Sequence, residues 1–282
     1  MITRRSIIDL FEKYKKNLGR EEALNDSLLK ADDQEGWIEN LRTKSKMLRT
    51  LYIENEAVLN LYLRPFIEQE NRLNMELADE FLEQLGMLFN EGLCDRLICI
   101  NMTEVLARFY EKAGEHDKML YAYYMLGGFY SRLPGAEAGK KCFGAYNIMK
   151  EAFNNYADIE DWDLRRRILF SYYNFTVIIV NVRPYYKEFR ESTAEYEKWL
   201  MEEYDRAIAV YDSPVVRNMD GDKYDLDGLK VELAYDVFGN WICGSDSKDE
   251  MCPEMLERSI AVMDELYAAE LKNDENIFHN ER

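Results

Sequence analysis

An all-α fold of stacked helical hairpins is what this sequence predicts, and three observations predict it. Apolar residues return every three to four positions in segment after segment, as they do on amphipathic helices. Only 5 prolines and 14 glycines punctuate 282 residues, and the gaps between them are helix-length. Short turns join successive patterns, so neighbouring helices should pack antiparallel as αα-hairpins. Stacked as one right-handed α-solenoid, such hairpins bury their apolar faces against neighbours alone, which escapes the size limit of a single compact core. The expected organisation is one continuous helical-repeat domain over 1–282, with N-terminal hairpins in 1–92, a core in 93–182 and C-terminal hairpins in 183–282.

The elements follow in order. Ile7, Leu10, Phe11 and Tyr14 mark one face of a first helix, which Gly19 is expected to close. A second pattern runs from Trp37 through Leu41, Met47, Leu48, Leu51 and Tyr52, with Pro65 limiting its continuation. Asn74 is the expected N-cap of a stripe comprising Ala78, Phe81, Leu82, Leu85, Leu88 and Phe89, and Gly92 stands where its C-cap belongs. Leu106, Phe109 and Tyr110 lie on one helix, Met119, Tyr123 and Leu126 on the next, and Gly114 turns the chain between them. Pro134 and Gly135 then break it.

Leu164, Ile168, Ser171, Tyr172, Phe175 and Ile179 resume the helical period. The β-branched run over 175–182 is the one strand candidate; it reads as buried helix, because no break precedes it and a lone strand would leave its backbone unpaired. Tyr196, Trp199, Leu200, Tyr204, Ala207, Ile208 and Tyr211 form a further stripe that Ser213 and Pro214 stop. Leu233, Ala234, Val237, Phe238 and Trp241 define the next helix, and Pro253 opens a last one carrying Leu256, Ile260, Met263 and Tyr267.

Charge narrows the partners. With 36 basic and 54 acidic side chains the net charge is 36 − 54 = −18, which repels phosphate backbones and anionic headgroups. Neither nucleic acid nor a membrane is therefore expected as a partner. The N-terminal apolar positions are broken by Asp9, Glu12 and Lys13, so no signal-peptide core is present, and no apolar run is long enough to span a bilayer. Cys94, Cys99, Cys142, Cys243 and Cys252 are odd in number and unpaired in spacing, as reduced thiols acting as small apolar side chains would be. A cytoplasmic protein is expected.

The stretch LARFYEKAGEHDKMLYAYYMLG resembles a degenerate tetratricopeptide repeat, a 34-residue helix–turn–helix unit. With Gly114 as the turn glycine, Leu106, Ala107, Tyr110 and Tyr123 stand at the family's packing positions, while Thr103, Met119, Leu126 and Ser131 depart from its pattern. The resemblance makes 93–182 a tetratricopeptide-like core. More loosely, this stretch, the segment IAVYDSPVVRNMDGDKYD and the final ERSIAVMDELYAAEL helix are similar to the helical N-terminal sensory regions of bacterial signalling proteins that carry GGDEF or HD-type output domains. No GGDEF sequence occurs in the chain, so the resemblance implies the regulatory half.

Catalytic equipment is sparse. His116 falls in the Gly114 turn and His279 near the C-terminus, and no clustered Cys and His, glycine-rich phosphate loop or nucleophile elbow is present. Glu76, Asp79, Glu80 and Glu83 sit at helical spacing opposite an apolar stripe and read as its solvated side. Asp220, Asp222, Asp225 and Asp227 miss the glycine and the glutamate that a calcium loop requires. Arg165, Arg166 and Arg167 point about 100° apart and read as ion-pair partners of the acidic surface. Tyr172, Tyr173, Tyr185 and Tyr186 are the candidates for lining a groove, against a core role.

The expected function is a non-catalytic protein- or peptide-binding sensory module, with no metal and no cofactor, that regulates a bacterial signalling output domain or partner. By analogy with tetratricopeptide proteins, Asn101, Glu104, Arg108, Glu111 and Lys112 would face the groove and hold the partner. A structural scaffold or homodimer is the alternative, and an acidic metal-dependent helical enzyme the more distant one.

Overall fold

The computed structural model describes residues 2–28, 34–90, 97–180, 193–218, 226–239 and 252–280, and among these every regular element is helical. They divide into two compact units, Met1–Phe129 and Tyr130–Arg282. The residues of the strand candidate up to Val180 are helix, and the last two lie outside the described residues.

The first unit holds α1 (Arg4–Leu28), α2 (Gln34–Glu68), a 3-10 turn at Glu70–Arg72, α3 (Met75–Asn90), α4 (Leu97–Ala113) and α5 (His116–Arg132) as far as Phe129. Thr3 starts α1 through a reciprocal cap: its Oγ1 accepts the Ser6 amide and its own amide donates to Ser6 Oγ at 2.8 Å. Ile7, Leu10, Phe11 and Tyr14 are buried as expected. Gly19 does not end the helix, which runs on to Leu28. Gly19 is exposed there, and a glycine in a helix lowers stability by only about 1 kcal/mol relative to alanine.

Pro65 likewise lies within α2, three residues before its end. It forfeits the bond to the Leu61 carbonyl but little helix remains beyond it, and Phe66 holds the terminus by packing edge-on against Phe81 at 5.1 Å. The core face of α2 is Leu59, Leu63 and Phe66, whereas Met47 and Tyr52 are exposed. Trp37 and Leu41 fall among side chains outside the description.

Asn74 caps α3 by accepting the Leu77 amide at 2.9 Å. Gly114, at φ +75°, ends α4. The Glu115 amide donates to the Tyr110 carbonyl and the Gly114 amide to the Glu111 carbonyl, the paired closure of a helix stopped by a left-handed residue. Asp79 near the start of α3, Tyr110 near the end of α4 and Lys118 near the start of α5 meet at one point. Gly86 lies against Tyr121, and Phe89 against Tyr124 and Phe129. The three helices therefore run up, down and up.

The second unit holds α6 (Ala136–Asn154), α7 (Trp162–Val180), α8 (Thr193–Tyr211), the short α9 (Pro214–Arg217), α10 (Leu226–Ala234) and α11 (Pro253–Asn280), with a 3-10 turn at Tyr156–Asp158 and a π turn at Tyr235–Gly239. Asp161 caps α7, accepting the Asp163 amide at 2.8 Å. Arg165 holds loop carbonyls rather than a carboxylate, donating to Ala157 O at 2.9 Å and to Ile159 O, while Arg166 pairs with Asp163 at 3.2 Å as an ion-pair partner. Ser213 stops the α8 segment by capping α9. The π turn inserts an extra residue after α10, and Leu233, Ala234, Val237 and Phe238 are all buried.

Candidate functional site

The residues singled out on α4 share its outer face. Asn101 and Glu104 are half-buried, and Arg108, Glu111 and Lys112 are exposed. Opposite them Leu106, Ala107 and Tyr110 are buried, so helical spacing alone sorts the row. The structure adds a residue that the spacing does not suggest. Glu70, on the 3-10 turn ahead of α3, receives Arg108 Nε on Oε1 at 2.9 Å and Lys112 Nζ on Oε2 at 3.0 Å. Hydrogen bonds from Lys112 and then Arg108 hold the Glu70 carboxyl below its ordinary range. Two cations one helical turn apart thus clamp one carboxylate at the surface.

Beneath that row, the Tyr110 hydroxyl donates to Asp79 Oδ1 at 2.9 Å, and Lys118 Nζ contacts both Asp79 oxygens at 2.9 and 3.0 Å. Burial, then the bond to Asp79, pushes the Tyr110 phenol far above its usual range. Glu80 corrects the solvated reading of the α3 acids. It is buried, receiving Arg4 Nε at 2.5 Å and Gln84 Nε2 at 2.9 Å. Glu76 and Glu83 are exposed and Asp79 is half-buried.

A larger polar centre lies in the second unit. Glu203 of α8, its side chain 1% exposed, accepts from five donor atoms. Tyr172 Oη of α7 donates to Oε2 at 2.8 Å, and Lys150 Nζ of α6 to Oε1 at 2.7 Å. Arg206 Nη2 donates to Oε1 at 2.6 Å, while Tyr146 Oη and Arg206 Nη1 share Oε2. The two phenol oxygens are themselves 2.8 Å apart. Aromatic rings seal the cluster: Phe153 stacks on Tyr172 at 3.8 Å, and Trp199 meets Tyr146 edge-on at 5.3 Å. Burial opposes ionisation of Glu203, but bonds from Arg206, Lys150 and the two phenols outweigh it and hold the carboxyl below 4.5. Burial also drives both phenols upward.

Chemically this centre is occupied by its own partners. An ionised carboxylate engaged at both oxygens is a poor base, and phenols held protonated against it donate without releasing a proton. The arrangement ties α6, α7 and α8 together. Tyr172, a groove-lining candidate, is buried in this network; the side chains of Tyr173, Tyr185 and Tyr186 lie outside the described residues. A signal for Glu203 exists in the sequence. It interrupts the buried stripe of Tyr196, Leu200, Ala207 and Tyr211 at helical spacing, and a glutamate there must find donors or stay neutral.

Cys99 and Cys142 are buried thiols and Cys252 is half-buried. Burial alone pushes the Cys142 thiol to about 12. The Cys252 amide donates to Glu197 Oε2 at 2.8 Å, where α11 begins. His116 is exposed at the first position of α5, Asp220, Asp222 and Asp225 lie outside the described residues, and Asp227 falls in α10. Among the described residues no group of three or more His, Cys, Asp or Glu is placed to hold a metal, and no helix is long and apolar enough to cross a membrane. Comparison with protein-family models, with curated proteins and with solved structures finds no match to this chain.

Proposed function

We propose that this chain is a non-catalytic protein- or peptide-binding module of the cytoplasm, with the outer row of α4 as its binding face. The observation that carries the reading is the convergence of Arg108 and Lys112 on the Glu70 carboxylate. Two exposed donors already positioned on one carboxylate can exchange it for a carboxylate or backbone carbonyl of a partner, because charge-assisted contacts of this kind are interchangeable in geometry. Asn101 and Glu104 extend the row with groups suited to main-chain amides, and Glu111 supplies an acceptor for a charged end. The buried acids support a non-catalytic role, since Glu203 and Glu80 are each taken up by internal donors.

The up-down-up run of α3, α4 and α5 supports reading the hairpins as part of a right-handed solenoid of tetratricopeptide type, in which such a row lines the concave face. The similarity to sensory regions of bacterial signalling proteins supports a regulatory role, with a partner or an output domain receiving the signal through the terminal helix.

The test is selection of a random peptide-display library against the full chain, followed by affinity measurement on an Arg108→Ala/Lys112→Ala variant. Selected peptides should lose about tenfold or more in affinity. The melting temperature should fall by only a few degrees, because exposed ion pairs contribute about 0–1 kcal/mol. A library that yields no binder, or binders indifferent to the two substitutions, rejects the assignment.

A further inference from the structure

The last helix carries two apolar stripes, and only one of them has a partner among the described residues. Met255, Ser259 and Val262 of α11 are buried against the second unit. Immediately beside them Leu256, Ile260 and Tyr267 are 44%, 50% and 64% exposed. At about 100° per residue these three lie within roughly 40° of one another, and half-buried Met263 joins the two stripes. The spacing from Leu256 through Ile260 and Met263 to Tyr267 is 4, 3 and 4 residues, the repeat by which one helix packs along another. The stripe extends for roughly 16 Å at about 1.5 Å per residue.

The outer margin of that stripe has one sign. Asp264 and Glu257 follow the apolar residues around the helix, and Glu254 and Glu265 lie beyond them, all exposed. Among the described side chains the cation on this side is Arg258, and it is bound to Asp205 at 2.5 Å. A second copy of this chain would set acidic margin against acidic margin, in a protein of net charge −18. A helix bearing Lys and Arg beside its own apolar face meets both features.

We infer that the exposed face of α11 is a docking surface for a basic amphipathic helix of a partner protein. Leu256, Ile260 and Tyr267 supply the apolar seam, as in helix-in-groove recognition, while Glu257 and Asp264 select the charge of the partner. The surface goes beyond the α4 row and does not depend on it.

The experiment uses the full chain and two synthetic 18-residue helical peptides with the same leucine spacing, one filled with lysine and the other with glutamate. Fluorescence anisotropy should show the lysine peptide binding at least about tenfold tighter. Ile260→Glu should weaken it about tenfold although it adds a negative charge, so general attraction to an acidic protein would move the other way. Glu257→Lys/Asp264→Lys should weaken the lysine peptide and favour the glutamate one. Arg108→Ala/Lys112→Ala should leave the lysine peptide unaffected, which separates this surface from the α4 reading. All of these side chains are exposed, so circular dichroism should be unchanged. Binding that survives Ile260→Glu, equal affinity for the two peptides, or no binding of either overturns the proposal. So does a dimer in sedimentation velocity that Ile260→Glu dissolves, since the face would then belong to a second copy.

Discussion

The Tyr172 hydroxyl donates to the Glu203 carboxylate at 2.8 Å inside a cage of aromatic rings, and this bond anchors the polar centre of the second unit. Removing the acceptor leaves two buried phenols and two cations without their common partner. Breaking a fully buried ion pair typically removes about 3–5 kcal/mol. Lys150 and Arg206 keep 26% and 30% of their side-chain surface in solvent, so Glu203→Leu should remove less, about 2–3 kcal/mol by the same reasoning. Urea unfolding followed by tryptophan emission reads this directly, because Trp199 packs on Tyr146.

The same carboxylate sets an acid limb. Its folded-state value lies below the ordinary 4.5, so its stabilising contribution is complete above that value and is lost as pH falls through the folded value. Glu203→Gln cannot titrate. The stability gap between wild type and this variant should therefore be constant near neutrality and narrow progressively below pH 4.5. A gap that widens on acidification would contradict the assignment of an ionised Glu203.

Gly86 and Tyr121 should behave as a coupled pair. A Cβ at Gly86 would overlap the Tyr121 hydroxyl and approach the ring at 3.0 and 3.1 Å. Gly86→Ala should destabilise by about 1 kcal/mol or more despite the helix propensity gained, because overpacking outweighs it. In a Tyr121→Phe background the cost should shrink, because the hydroxyl overlap goes while the ring contacts at 3.0 and 3.1 Å remain. In a Tyr121→Leu background the substitution should become close to neutral. A double-mutant cycle by thermal melting measures the difference, and additive effects would mean the contact does not matter.

At Gly114 the strain is in the backbone alone. Its φ is +75° and nothing lies within 4 Å of a Cβ placed there. Gly114→Ala should destabilise by about 1–2 kcal/mol, with Gly114→Asn milder, since asparagine tolerates the left-handed region. Chemical denaturation of the three proteins orders them.

Cys142 offers a reactivity test. With its thiol raised to about 12 by burial, almost none is thiolate at pH 8, and the thiolate is the reacting species. A variant retaining Cys142 as its sole cysteine should react with a disulfide reagent only as fast as the second unit opens. Prompt labelling in native buffer would show that the α6 core face is accessible.

Local signals made much of this architecture legible. Asn74 and Gly114 act through their own turn, and both perform the terminal roles their residue types suggest. Gly19 and Pro65 mislead because a breaker only weakens a helix; when it is exposed, or within a turn of the end, neighbouring packing outweighs it. The α4 row is readable for the same local reason, since one helix orders all five residues. Glu70 is not, because it meets Arg108 from 38 positions away. Glu80 was hidden in the same way. Arg4, 76 residues distant, turns an apparent surface acid into a buried one. Long-range partners of charged side chains leave no periodic trace.

Buried Glu197 bears on how the second unit handles force. Its carboxyl group receives the Cys252 amide, so the origin of α11 is moored to α8 by a hydrogen bond from main chain to side chain. A pull on α11 along its axis must snap that mooring or drag α8 with it, and α8 carries Glu203. Tension applied to the last helix would thus reach the Glu203 centre within two turns of a neighbouring rod.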